Sequence, residues 1–140
     1  FNSMFGTSND EAKFIITGNN RDLNRYKWNY ENISKKLDDK NSKQSIFYNK
    51  IMKLILIKRQ NKAFHPNAKR ESLSIGKKIF CFKRTSLDKK QIIYNITNLS
   101  SKHQKIKINN KLKNYKNLFD KCKMGASVKL QPFETLWLSN

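Results

Sequence analysis

The residues best suited to recognising a polar ligand are two arginines, Arg21 and Arg25, in the stretch TGNNRDLNRYKW (Thr17 to Trp28). The chain otherwise relies on lysine: only five of its 30 Lys+Arg are arginine. A guanidinium presents a rigid fork of donors that can clamp hydroxyls or a carboxylate, and it keeps its charge when partly desolvated. On a loop that follows a strand end, such a fork can point into a cleft. Asp22 offers the other use, an Arg–Asp tether that merely pins the loop. The residues alone leave both readings open.

Little else has the spacing that chemistry demands. Acid–base work on a sugar acetal needs two carboxylates, roughly 5 Å apart when configuration is retained. The ten acidic residues mostly sit beside lysines on solvent faces. Asp10 reads as a helix cap and Asp22 as at least as good an ion-pair partner as a catalyst. No GxSxG elbow occurs, and SIGKK (Ser74 to Lys78) lacks the upstream glycine and spacing of a phosphate loop. His65, between Phe64 and Pro66, reads as a packed turn residue, and His103 is isolated. Cys81 and Cys122 form no metal-binding pattern; their apolar neighbours predict two reduced, mostly buried thiols. No metal or cofactor is expected. Three Asn-x-Ser/Thr sequons are what an asparagine-rich chain yields by chance.

Two regimes that meet near Pro66 must position these residues. Before it the period is helical. Ser8, Asn9 and Asp10 can cap a short helix through DEAKFII, which Gly18 ends. After the arginine-bearing loop, YENISKKLDD forms a second helix, and Ser42 opens a long third one. Phe47, Ile51, Leu54 and Ile55 line one face of that helix, a stripe read as core packing. After Pro66 the period falls to two. ESLSIG, KIFCFKR, QIIYNIT, QKIKI, YKNLF, SVKL and ETLWLSN give seven short strands with polar turns, an antiparallel sandwich by their one-sided alternation. Ile92, Tyr94 and Ile96 share a face, and Ile106 and Ile108 point inward. No low-complexity linker separates the regimes, so the two parts are expected to pack together.

The 140 residues, 37% hydrophobic and 29% charged, suit a chain with a real core. No run of about 20 apolar residues exists, so no membrane partner is expected, and cytoplasm is the expected location. The net charge of +20 raises an alternative function, a basic nucleic-acid-binding module. Three features disfavour it: the cations are nearly all lysine, they are scattered through every element, and Lys, Asn, Ile and Phe are enriched together as AT-rich codons produce. A non-catalytic sugar-binding sandwich would need an exposed aromatic platform; Trp137 is the candidate, but LWL places it in a buried strand.

FNSMFGTSND, TGNNRDLNRYKW, AFHPNA and LQPFETLWLSN, in this order and spacing, resemble the C-terminal part of the sucrose phosphorylase-like branch of glycoside hydrolase family 13. The most specific element is G-x-x-R-x-x-N-R after a strand-end ND loop. The resemblance implies an α+β fragment. Residues 1–68 would be the end of a (β/α)8 barrel, with FNSMFG as the tail of strand eight, the substrate loop and the last helix. Residues 69–140 would be a small antiparallel β-sandwich domain. It further implies a retaining glycoside phosphorylase acting on sucrose, sucrose phosphate or glucosylglycerate, with the glucoside and inorganic phosphate as partners. AFHPNA leans towards the latter two donors. Arg21 would bind the glucosyl unit, projecting from the barrel rim, whereas Asp22, Asn24 and Arg25 would shape the loop. Arg21 facing open solvent, remote from any strand end, would count against this assignment. The catalytic carboxylates belong to earlier barrel strands, so the chain alone is expected to be inert without the missing N-terminal barrel portion.

Overall fold

The computed structural model describes residues 2–107, 114–125 and 127–140. Ile108, expected to point inward, lies outside them. The chain forms two compact units, Phe1–Leu56 and Ile57–Asn140. The division falls inside the long helix, because Ile57 and the segment after it pack with sheet residues of the second unit.

The first unit is helical. FNSMFG, expected as a strand tail, contains instead a 3₁₀ turn, Asn2–Phe5. Its backbone groups bond within the segment instead; Thr7 N–H donates to Asn2 O at 3.2 Å. Gly6 follows with φ +55, and a Cβ there would lie 3.0 Å from the Phe47 ring. Glycine is needed both for the left-handed turn and for the close approach. α1 (Glu11–Thr17) begins at Asp10, whose side chain accepts from Lys13 N–H, and ends at Gly18 in the left-handed conformation. One helical turn, α2 (Asn20–Leu23), occupies part of what the sequence suggested was loop. α3 (Tyr30–Asp38) is capped by the Asn29 side chain.

α4 (Lys43–Gln60) starts as expected, with the Ser42 hydroxyl accepting from Ser45 N–H at 3.0 Å. Its packing differs from expectation. The buried Ser45 donates to Leu37 O at 2.9 Å, and Tyr48 stacks on the buried Phe5 with ring centroids 5.7 Å apart. The face of Ser45, Tyr48 and Met52 is therefore the inner one. Phe47, Leu54 and Ile55 of the predicted stripe are exposed, and Ile51 is half-buried. Amphipathic spacing identified an apolar stripe but not which apolar face this unit covers.

The described residues of the second unit form seven strands: β1 (Lys69–Leu73), β2 (Ile79–Thr85), β3 (Ile92–Asn98), β4 (Gln104–Lys107), β5 (Lys116–Asn117), β6 (Ser127–Leu130) and β7 (Thr135–Ser139). Every pairing is antiparallel. They build a five-stranded sheet in the order β1-β2-β3-β7-β5 and a two-stranded sheet β4-β6. Cys81, Ile96, Leu136 and Leu138 from the larger sheet meet Ile106 and Leu130 from the smaller in one apolar cluster. On the opposite face, Ile93 and Leu118 pack with Ile57 and Ala63, and Trp137 lies between Phe64 and Phe119. β3 is thus buried on both faces: Ile93 is 0% and Ile96 2% exposed. The buried Asn98 side chain donates to Lys102 O and Gln131 O, both at 2.8 Å, and accepts from Ser100, so none of its polar capacity is stranded.

Candidate functional site

The arginine-bearing stretch is held by short-range hydrogen bonds. Asn19 caps α2, its side chain accepting the Arg21 N–H at 3.0 Å. Asp10 N–H donates to Leu23 O at 2.7 Å, which ties the start of α1 to the end of α2. Asp22 bonds to Lys13 of α1 at 3.0 Å. The Arg–Asp tether, one of the two readings the residues left open, is not formed: Asp22 pairs with Lys13, which leaves both arginines out. Lys13, then Thr17, holds the Asp22 carboxyl below the usual carboxylate range. Asn24 is the C-cap of α2, and its carbonyl, with that of Tyr26, accepts from the Asn2 side chain.

Arg21 and Arg25 are exposed. Among the described residues no hydrogen bond or ion pair reaches the Arg21 side chain. Its setting within this chain therefore gives the sugar assignment no support of its own. Sequence reading missed the hollow of about 260 Å³ next to this stretch, lined by Ser8, Asn9, Asp10, Tyr26, Trp28 and Gln44 among others. Trp28 Nε1 donates to Thr7 Oγ1 at 2.9 Å, and Tyr26 meets Trp28 edge to face at 4.9 Å. Aromatic edges beside amide, hydroxyl and carboxylate groups form a lining that suits a polyol. The two aromatics in RYKW were the only sequence signal of it.

The AFHPNA segment serves as a clamp in the second unit. Arg84 of β2 donates through Nε to Ala63 O at 2.7 Å and through Nη2 to His65 O at 2.6 Å. The His65 ring accepts from Asn67 N–H at 3.2 Å; the residue is an exposed turn element rather than a packed one. Cys81 is buried, and that burial pushes its thiol up to about 11. Cys122, expected to be buried, is exposed.

A carboxyl group that acts as a general acid must retain its proton near neutrality. Asp22, Glu71, Asp88 and Asp120 all shift downward, drawn by ammonium groups, hydroxyls or backbone N–H groups. Among the described residues no group of three or more His, Cys, Asp or Glu could hold a metal ion, and no helix is long and apolar enough to cross a membrane.

No protein-family model matches the chain. Two curated relatives do. Glucosylglycerate phosphorylase of Escherichia coli (strain K12) is 25% identical over 136 residues, which is 97% of this chain and 24% of that protein. Glucosylglycerate phosphorylase of Spirochaeta thermophila is 29% identical over 98 residues, 70% of this chain and 17% of that protein. The chain thus spans about a quarter or less of the length of these relatives. Among solved structures, the trehalulose synthase MutB from Pseudomonas mesoacidophila superposes with a TM-score of 0.57 at 13% identity, over 76% of this chain and 19% of that one. An AmyP variant in complex with maltotriose superposes at 0.59 with 12% identity, over 72% and 22%. These two likenesses concern the fold.

Proposed function

We propose that this chain, which resembles the C-terminal part of sucrose phosphorylase-like glycoside phosphorylases of the α-amylase family, contributes substrate-binding and supporting elements to such an enzyme. The reaction is transfer of a glucosyl unit from a glucoside to inorganic phosphate with retention of configuration. A carboxylate displaces the aglycone from the anomeric carbon, an acid protonates the departing oxygen, and phosphate then displaces the carboxylate. Glucosylglycerate is the favoured donor, since both curated relatives are named for it, with sucrose and sucrose phosphate next.

Collinear similarity over 97% of the chain is the observation that carries this reading. Arg21 would donate to glucosyl hydroxyls, while Asp22, Asn24 and Arg25 shape its loop. On this resemblance the nucleophilic and acid carboxylates come from earlier barrel strands, which this chain does not supply. The chain by itself is inert and needs a (β/α)8 barrel portion to act. Location in the cytoplasm belongs to the same reading. The nucleic-acid alternative is not favoured: the relatives are named as phosphorylases of a glucoside, and lysines are spread over five of the seven described strands of the second unit.

The test begins with the reading frame upstream of Phe1. An in-frame continuation encoding barrel strands with Asp and Glu at their ends is expected. The polypeptide so defined should release glucose 1-phosphate from glucosylglycerate and phosphate, and Arg21→Ala should lower kcat/KM by about 100-fold or more. A continuation without those acids, or full activity in the Arg21→Ala variant, would overturn the assignment.

A further inference from the structure

The second unit concentrates the positive charge. Residues 57–140 carry 20 of the 30 Lys+Arg but four of the ten Asp+Glu, a net +16 against +4 for residues 1–56. Part of this charge converges on a groove of about 370 Å³. Its floor is the paired face of β1 and β2, where Lys69 stands opposite Thr85 and Glu71 opposite Lys83. Its wall is the turn that joins β2 to β3, which brings Leu87 and Lys89 to the rim.

Three features set this groove apart from a solvated lysine surface. Lys69 and Lys83 approach the same oxygen of Glu71, at 3.3 and 3.4 Å, so one carboxylate serves two ammonium groups. The Lys83 side chain is only 25% exposed, and a half-buried ammonium gains more from a counter-charge than one in bulk water. Lys89 sits at φ +58, in a conformation that turns usually give to glycine or asparagine. The surrounding turn fixes it there: Lys89 N–H donates to Ser86 O, and the Ser86 hydroxyl bonds to Asp88. Among the described residues no carboxylate pairs with Lys89.

We propose that this groove binds the phosphate dianion of a small phosphate monoester. The three lysines and Glu71 leave two positive charges, which a dianion cancels. Lysine serves phosphate as a point charge. Thr85 and Asn67 face the same space with hydroxyl and amide groups for the ester's own hydroxyls, and Leu87 offers an apolar wall to its carbon body.

Titration of the isotopically labelled chain with inorganic phosphate, glycerol phosphate and glycerol, followed by amide NMR at constant ionic strength, tests the site. Saturable shifts confined to residues 67–71 and 83–89 are expected with both phosphates and not with glycerol. Tighter binding of glycerol phosphate would assign the Thr85 and Asn67 contacts to the ester body; equal binding would assign the site to the phosphate group alone. Lys89→Gly is the decisive variant, because glycine relieves the left-handed backbone while it removes the ammonium group. It should raise thermal stability and weaken phosphate binding about tenfold. Lys69→Ala should weaken binding similarly. Shifts spread over the unit's lysines without saturation, or unchanged affinity in Lys89→Gly, would overturn the proposal.

Discussion

Replacing Arg84 with methionine isolates what holds the AFHPNA segment to the sheet. The methionine stem keeps most of the side chain's cover of the sheet and deletes both donated hydrogen bonds, 2.7 Å to Ala63 O and 2.6 Å to His65 O. The two losses are unequal. His65 is exposed, so water replaces the guanidinium at its carbonyl. Ala63 is 0% exposed, and its carbonyl would be left without a donor, at a cost of about 1–3 kcal/mol. One term opposes this. Arg84 stands directly opposite Arg70 in the β1–β2 register, and removing a cross-strand like-charge pair returns roughly 0.2–1 kcal/mol. Desolvation of the buried carbonyl wins, and a net loss of about 1.5 kcal/mol is expected. Urea unfolding followed by Trp137 fluorescence in a Trp28→Phe background reports the second unit, because these are the only two tryptophans. Arg84→Lys should fall between parent and Arg84→Met, since one ammonium cannot span both carbonyls as the guanidinium fork does. A change below about 0.5 kcal/mol in Arg84→Met, a value typical of an unengaged surface site, would refute the clamp.

The two thiols should differ in their chemistry. At pH 8 a thiol reagent should label Cys122 alone in the folded chain, with the second equivalent entering only in denaturant, since Cys81 is buried and its thiol is pushed up to about 11. Above the ordinary thiol range the unfolded chain loses the Cys81 proton while the folded chain keeps it, so unfolding becomes easier as pH rises from about 9 to 11. Cys81→Ser should flatten that alkaline decline in denaturation midpoints. The exposed apolar face of α4 should drive association of the isolated chain; sedimentation at rising concentration should show oligomers that the Phe47→Glu/Ile55→Glu variant lacks, and a wild-type monomer at all concentrations would contradict this.

Local patterns spoke clearly where local physics decides. Asp10 and Ser42 cap helices because a short acceptor side chain satisfies the first free N–H groups, and Gly18 ends α1 because its φ is positive. The seven described strands were legible from period-two alternation. What pairs over distance was not. Nothing in ETLWLSN says that β7 inserts between β3 and β5, and QIIYNIT gave its Ile92–Tyr94–Ile96 face without showing that Ile93 is buried on the other. Asp22 illustrates the same limit for charges: its partner is Lys13, nine positions upstream, and not the adjacent Arg21.

Arg84 and Arg21 differ in how far the folding of the chain commits them. Arg84 has both carbonyl partners within the chain, and its work is finished when the chain folds. Arg21 has its backbone fixed by the Asn19 cap and by the tie between Asp10 and Leu23, while its guanidinium is left uncommitted. A donor fork already saturated by neighbours would have to break those bonds before it clamped a sugar hydroxyl, and that cost would subtract from binding. A fixed backbone with a free fork avoids it. The same economy predicts that Arg21→Ala leaves the unfolding midpoint of the isolated chain unchanged, whereas Asn19→Ala, which loosens the turn beneath it, lowers protection of the Arg21 amide in hydrogen exchange. If Arg21→Ala destabilised the first unit as much as the loss of its caps, Arg21 would be a structural tether, and its place in sugar binding would have to be given up.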